Sequence, residues 1–243
     1  MRVPRFYVPQ PFAVGQEFTL PDTTFRHAIQ VLRLGVSEPL ILFNGEGGEY
    51  LAQISNVNKR AASVLIDSFS ALDTESPVHL TLVQAVIKPD KMDFALQKAV
   101  ELGVNTIQPL ITQRSVIRIG KEQADKKLQH WEGITVAACE QSGRTRMPAV
   151  SAPLTLERWL EMPFTGTRLI LAPGDFPRIN ALPSDLSTPI ALVIGPEGGF
   201  TDEEVGSCVQ AGVMPVSLGP RILRAETASI AALALLQHRF GDL

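Results

Sequence analysis

Cysteine is nearly absent from this chain: two in 243 residues, Cys139 and Cys208. Both sit in helix-like segments, outside any CxxC or paired-histidine spacing, so neither a disulfide framework nor a zinc site is implied. His27 has no metal partner near it in sequence, and no metal is expected. No uninterrupted apolar run is long enough to span a bilayer, and no charged-then-apolar leader follows Met1. The expectation is a soluble cytoplasmic protein without a membrane partner. A glycine-rich phosphate loop ending in lysine is missing, as is G-x-G-x-x-G, which argues against nucleotide-phosphate and dinucleotide chemistry. There is no internal repeat and no low-complexity tract.

Positive charge is also in short supply, with 22 Lys and Arg against 25 Asp and Glu. The average conceals a pattern. Residues 1–33 carry four basic against two acidic side chains, and residues 87–146 carry ten against seven. The intervening 34–86 and the final 147–243 are acidic, at two against six and six against ten. Local patches of this kind, rather than net charge, contact phosphates.

The size suits one large or two small domains, and the pattern favours two. Pro39–Phe43, the turn Asn44–Gly48, Glu49–Ile54, a turn at Asn58–Arg60 and Ala61–Ile66 read as a β-meander. Phe25–Arg33 before it has helical spacing, so a small barrel is expected. Ser70–Pro77 is the best linker. From His79 onward strands alternate with helices: strands at 80–87, 106–111, 168–172, 190–194 and 215–218, helices at 90–102, 122–142, 202–211 and 226–240. Thr201-Asp202-Glu203-Glu204 is a capping box. This alternation predicts a mostly parallel sheet covered on both faces.

Two glycine-proline segments carry the chemistry. Ile194-Gly195-Pro196-Glu197-Gly198-Gly199-Phe200 follows an apolar strand, and Leu218-Gly219-Pro220-Arg221-Ile222-Leu223-Arg224-Ala225-Glu226-Thr227-Ala228 follows a short one. Each lies where a strand gives way to a helix, the place at which open α/β sheets bind ligands. Glu197 would repel an anion. A carboxylate among exposed main-chain groups suits a ligand with hydroxyls, amino groups and positive charge, a description that S-adenosylmethionine meets. Two tight αβ turns without a ligand explain the same residues.

With these two segments the chain resembles the RsmE family, SPOUT-class methyltransferases of the small ribosomal subunit. The resemblance extends through Arg2, Arg5, Phe6, the run His27–Arg33, Lys91-Met92, Gln97-Lys98, Glu101-Leu102-Gly103 and Ala137–Arg144. It implies a PUA-like RNA-binding barrel over residues 1–72 and a SPOUT α/β domain with a trefoil knot over residues 73–243. It also implies a homodimer, S-adenosylmethionine as cofactor, and methylation at N3 of a uridine in 16S rRNA. Pattern rules alone would draw an unknotted sheet. The adenosyl pocket is expected from Leu171, Ala172, Ile194, Gly195, Pro196, Glu197, Gly198, Gly199, Leu218, Gly219, Ile222, Leu223, Arg224, Thr227 and Ala228. Arg224 is expected to stabilise the uridylate, unless an ion pair to Glu226 or Glu197 merely fixes the loop. Glu197 either accepts the N3 proton, holds a ribose hydroxyl or shapes the loop. RNA contacts are expected from Arg2, Arg5, Arg26, His27, Arg33, Lys88, Lys91, Arg114 and Arg144. A SPOUT enzyme for another rRNA or tRNA nucleotide, and a non-catalytic ribosome assembly factor, are the alternatives.

Overall fold

A computed structural model describes residues 3–115, 121–186 and 188–243. The chain divides into two compact units. The first comprises Met1–Glu75 together with Cys139–Met147, and the second comprises Ser76–Ala138 and Pro148–Leu243.

The first unit is built from β1 (Arg5–Tyr7), β2 (Glu17–Thr19), α1 (Asp22–Phe25), β3 (Pro39–Phe43), β4 (Glu49–Val57) and β5 (Ala62–Ser70). They form a five-stranded sheet in the order β1-β3-β4-β5-β2. The meander read from the sequence is its centre. Alternation places Leu40 opposite Ala52, Ala52 opposite Ile66 and Ile54 opposite Val64, all on the buried face, so cross-strand pairs build the core directly. Among the described residues no pairing joins the edge strands β1 and β2, so strand hydrogen bonds do not close the expected barrel. Instead α1 continues into a π-helical stretch, Arg26–Val31, and Phe25 and Ala28 pack on the core.

The segment Cys139–Met147 belongs to this unit because of buried charge. The Arg144 guanidinium grips Glu75 with two nitrogens, Nε at 3.0 Å from Oε1 and Nη2 on Oε2. Arg5 pairs with Glu49, and its Nη2 donates to the Arg144 carbonyl at 3.1 Å. Tyr7 N–H donates to Glu140 Oε1 at 3.0 Å, and Gly47 N–H donates to the Thr145 carbonyl at 3.2 Å. Arg5 and Arg144 are only 9 % and 4 % exposed. Their expected RNA contacts are therefore corrected: both guanidiniums are buried in ion pairs that hold the unit together. Burial pushes the Cys139 thiol up to about 12, so it stays a neutral apolar group.

The second unit contains β6 (Leu80–Ala85), α2 (Pro89–Glu101), β7 (Thr106–Ile111), the helix α3 (Lys121–Ser142) as far as Ala138, β8 (Ala149–Val150), β9 (Leu154–Thr155) and α4 (Leu156–Glu161). It continues through β10 (Thr167–Leu171), β11 (Ile190–Ile194), α5 (Asp202–Gln210), β12 (Met214–Val216) and α6 (Ala225–Phe240). The strands run β12-β10-β11-β6-β7-β8, with β9 also on β7, and all these pairings are parallel. Every residue of central β11 is buried, as a parallel strand covered on both faces must be. Val83, Ile170, Ala191 and Val193 share a core with Trp159 of α4 and Cys208 of α5. Gln84, the next residue along β6, faces the other way and accepts a hydrogen bond from Ser229 of α6 at 2.5 Å. The capping box forms as read: Thr201 Oγ1 accepts from Glu204 N–H, and Thr201 N–H donates to Glu204 Oε2. The short strands β1, β2, β8 and β9 and the helix α4 were not legible in the pattern, since two to six residues carry no resolvable period.

Two stability outcomes follow from the buried charges. Arg144→Ala strands Glu75 and is expected to cost about 3–5 kcal/mol in chemical denaturation. Burial raises the Glu140 carboxyl above its ordinary range, so the folded state binds this proton more tightly than the unfolded chain does. Its contribution is present below the ordinary glutamate range and is lost as pH rises through the raised value. Glu140→Gln retains an acceptor for Tyr7 without the charge, so it is expected to match or exceed the parent in stability at pH 7 and to flatten this part of the pH–stability curve.

Candidate functional site

Parallel pairing places the carboxyl ends of β12, β10 and β11 side by side, so the chain leaves all three at one edge of the sheet. These exits are Ala172 onward, Gly195 onward and Ser217 onward, and the two glycine-proline segments are the second and third. The first and third are stitched together. Ser217 Oγ donates to the Phe176 carbonyl at 2.9 Å, Ser217 N–H to the Pro177 carbonyl at 2.9 Å, and Ile179 N–H to the Ser217 carbonyl at 3.1 Å.

The second segment is fixed from several directions. Glu197 Oε1 accepts from the N–H of Lys88, the residue preceding α2, at 3.0 Å. Arg114 Nη1 donates to the carbonyls of Gly198 and Phe200 at 3.0 and 3.1 Å. Glu204 Oε1 accepts from Gln113 N–H at 2.8 Å, linking the exit of β7 to the start of α5. A Cβ on Gly195 would lie 3.0 Å from the Phe200 ring, and one on Gly198 would lie 3.3 Å from Arg114. Those two glycines admit neighbouring side chains. Gly199 and Gly219 differ: both have positive φ, +68° and +111°, and nothing stands within 4 Å of where a Cβ would be. Their backbone borders open space, as a main-chain cradle for a ligand requires.

The expected pocket residues fall into two groups. Ala172, Ile194, Pro196 and Ala228 are buried and act as packing. Leu171, Gly195, Gly199, Leu218, Gly219 and Leu223 are half-buried, and Glu197, Gly198, Ile222, Arg224 and Thr227 are exposed, which leaves this rim open to a ligand. A cleft of about 620 Å³ opens beside it, touching Ala172, Gly198 and Gly199 of the expected set. It is also lined by Phe176, Phe200 and Val209, which sequence reasoning missed. Phe200 was the readable one, since a ring beside a glycine turn needs a glycine to pack on.

Among the described residues Arg224 forms no ion pair within 4 Å: Glu197 bonds Lys88 N–H, and Glu226 stands 3.8 Å from Lys91. The alternative of a loop-fixing Arg224 ion pair therefore does not form here. Lys88 is exposed, whereas Lys91 is half-buried between Asp90 and Glu226. Arg114 serves the glycine turn, a role its sequence position did not announce. In the first unit Arg26, His27 and Arg33 are exposed, and Arg33 has φ +60°. Arg2 lies outside the described residues. No cluster of metal-ligating side chains occurs among the described residues, and no described helix is long and apolar enough to cross a membrane.

Removing the Arg114 guanidinium takes two hydrogen bonds from the turn, about 1–2 kcal/mol. Gly199 N–H, which donates to the Pro196 carbonyl, is expected to exchange with solvent about five- to thirtyfold faster in Arg114→Ala, as read by hydrogen exchange.

Comparison with known proteins gives this geometry its setting. Residues 74–237 match the model of an RNA methyltransferase domain, and residues 20–67 match that of an RNA methyltransferase PUA domain. Ribosomal RNA small subunit methyltransferase E of Buchnera aphidicola subsp. Schizaphis graminum is 35% identical, covering 100% of this chain and 98% of its own. The protein of the same name from Bacillus subtilis is 28% identical over 91% of this chain and 90% of its own. Among solved structures, ribosomal RNA small subunit methyltransferase E from Neisseria gonorrhoeae, bound to S-adenosyl methionine, superposes with a TM-score of 0.93 at 40% identity over 100% of both chains. A Legionella pneumophila protein described as a methyltransferase, solved with bound SAM, gives 0.96 at 40% identity over 100% of both. A full-length match in sequence and in structure, with both domain models in the expected order, leaves one conclusion: the chain belongs to the ribosomal RNA small subunit methyltransferase E family.

Proposed function

We propose that this protein transfers a methyl group from S-adenosylmethionine to N3 of a uridine of 16S rRNA in the small ribosomal subunit. The observation that carries the reading is the meeting of the two glycine-proline segments at one sheet edge, in a chain whose full-length neighbours were solved with this cofactor. The residues fit it. Gly199 and Gly219 leave open space against bare backbone, and neither glycine-proline segment itself contains a lysine. Main-chain groups of Leu171, Gly195, Gly199, Leu218, Ile222 and Leu223 hold the adenosyl part. When bound, the cofactor supplies an electrophilic methyl group.

Uracil N3 lies on the Watson–Crick edge and carries a proton, so the base must leave its pair before it reacts. The reactive form is the anion, its N3 proton released to solvent water, with charge spread onto O2 and O4. Arg224, exposed and without an ion pair among the described residues, donates to O2 or O4, a charge-assisted hydrogen bond beside N3 that leaves N3 itself open. The engagement of Glu197 with Lys88 N–H favours its loop-shaping role over proton transfer. Arg26, His27, Arg33 and Lys88 are exposed cations for phosphates, and binding through them weakens with salt.

The remaining features belong to the same reading. From edge strand β12 the chain returns to pack α6 on α2 and to bond Ser229 to Gln84 of β6, a crossing that a trefoil knot requires. Helix α6 is apolar around much of its circumference, and Ile230, Ala231, Ala234 and Leu235 are not buried in the single chain, a face suited to a second copy in a homodimer. Its place of work is the cytoplasm, where small subunits are assembled.

Mass-spectrometric mapping of small-subunit RNA from cells with and without this protein is expected to show one N3-methyluridine that depends on it; methylation of a different rRNA or of tRNA would favour the related SPOUT activity. Arg224→Ala is expected to slow single-turnover methyl transfer about 10²–10³-fold, the scale of a lost oxyanion donor, with the cofactor Kd from calorimetry within threefold. Equal losses in both would return Arg224 to a loop-building role.

A further inference from the structure

Where α1 widens into the π-helical stretch, the first unit gives up burial that its own sequence offers. Thr24, Phe25 and Ala28 are buried, and Phe25 and Ala28 belong to the apolar core. Residues three and four positions apart share a face in an ordinary α-helix, so Val31 and Leu32 would extend that buried stripe. They do not. Leu32 N–H donates to the His27 carbonyl, five residues back, and Leu34 N–H to the Ala28 carbonyl, six back, each at 3.0 Å. The widened turn rotates both side chains off the core, and they stand 67 % and 45 % exposed. Arg33 and Ser37 then take φ +60° and +69°, conformations uncommon outside glycine. Yet the segment is anchored: Ile29 and Leu34 pack on the core, and the His27 ring stands edge-on to Phe6 with centroids 5.4 Å apart. Widened turns and strained backbone of this kind gather at functional sites.

The charge around this apolar pair identifies what covers it. From Arg26 to Ser37 the chain carries Arg26, His27 and Arg33 and no acidic residue. All three are exposed, and among the described residues neither arginine forms an ion pair. Two apolar side chains bracketed by uncompensated positive charge match a polyanion that also has apolar faces, which is RNA with unstacked bases. We propose that Val31 and Leu32 form a knob against unpaired bases of the 16S rRNA, while Arg26 and Arg33 hold the phosphates on either side. Apolar side chains contact bases in this way, and cations beside them position the backbone. The knob rests on the rRNA reading above and adds to it a base contact that salt does not screen.

The test is the Kd of the full-length protein for unmethylated small subunits, measured across a range of salt concentrations. Val31→Ser combined with Leu32→Ser is expected to bind at least tenfold more weakly than the parent at every salt concentration. The slope of log Kd against log salt is expected to stay unchanged, because no phosphate contact is lost. Val31→Ile combined with Leu32→Met keeps the knob and is expected within threefold of the parent. Arg33→Gly, which suits the left-handed backbone, is expected to make the slope shallower by about one. In a second experiment a benzophenone side chain replaces Val31 and the complex with small subunits is irradiated; a crosslink to 16S rRNA is expected. A double serine variant within threefold of the parent, a shallower slope for that variant, or an unchanged slope for Arg33→Gly would overturn the knob. Crosslinking to a ribosomal protein, to a second copy of this chain, or to nothing would overturn it as well. Each of these results leaves the substrate reading standing. No N3-methyluridine from the parent protein would bring down that reading, and the knob with it.

Discussion

Adjacency of parallel strands is the constraint on which the site depends. Because β12, β10 and β11 are neighbours running in one direction, three segments far apart in sequence must emerge together. Main-chain N–H and C=O groups at that edge have finished their sheet pairing, and a ligand can take over as their partner. The side chains between them mostly hold the segments still. Arg114 pins the glycine turn, Glu197 ties it to the start of α2, and Ser217 joins the first exit to the third. Such bracing lowers the ordering that remains when a ligand arrives, which suits a pocket built from backbone.

The first unit is held by a different balance. Beside its apolar core, which runs from Phe6 to Ile66, lie charges taken out of water. Arg5, Glu49, Arg144 and Glu75 form pairs in which each member is hydrogen-bonded. Such groups cost little together and a great deal if one is removed. They also explain how residues more than sixty positions apart belong to one compact body, since Cys139–Met147 brings Arg144 to Glu75 and Glu140 to Tyr7. The same cluster withdraws two arginines from any contact with a partner. A basic residue in a run that resembles an RNA-binding family is therefore not, on that ground alone, a surface residue.

Long or strongly patterned elements were legible beforehand. The β3–β5 meander, the buried strand β11, the capping box at Thr201 and the apolar helix α6 all follow from period and end signals. The two glycine-proline segments stood out because glycine followed by proline at a strand exit makes a stiff turn that a ligand can approach closely, and the ligand-free turn reading was set aside by the family resemblance. What escaped was short or depended on distant partners. Strands β1 and β8 have too few residues to show alternation. The π-helical stretch at Arg26–Val31 looked like ordinary helix, because a widened turn leaves nearly the same apolar spacing over so few residues. Phe176 and Val209 gave no sign that they would line one cleft.

By itself the sequence determined the long or strongly patterned elements, the change from a β-rich to an alternating part, and the turn chemistry of the two glycine-proline segments, since propensity, periodicity and turn chemistry act over a few residues. Only the tertiary structure decided which cations are free and which are buried. It also decided that Arg114 serves a turn more than eighty positions away, and that Arg224 stands without the ion pairs open to it on paper. Burial and pairing depend on which distant groups a fold brings within a few ångströms, and no local pattern carries that information.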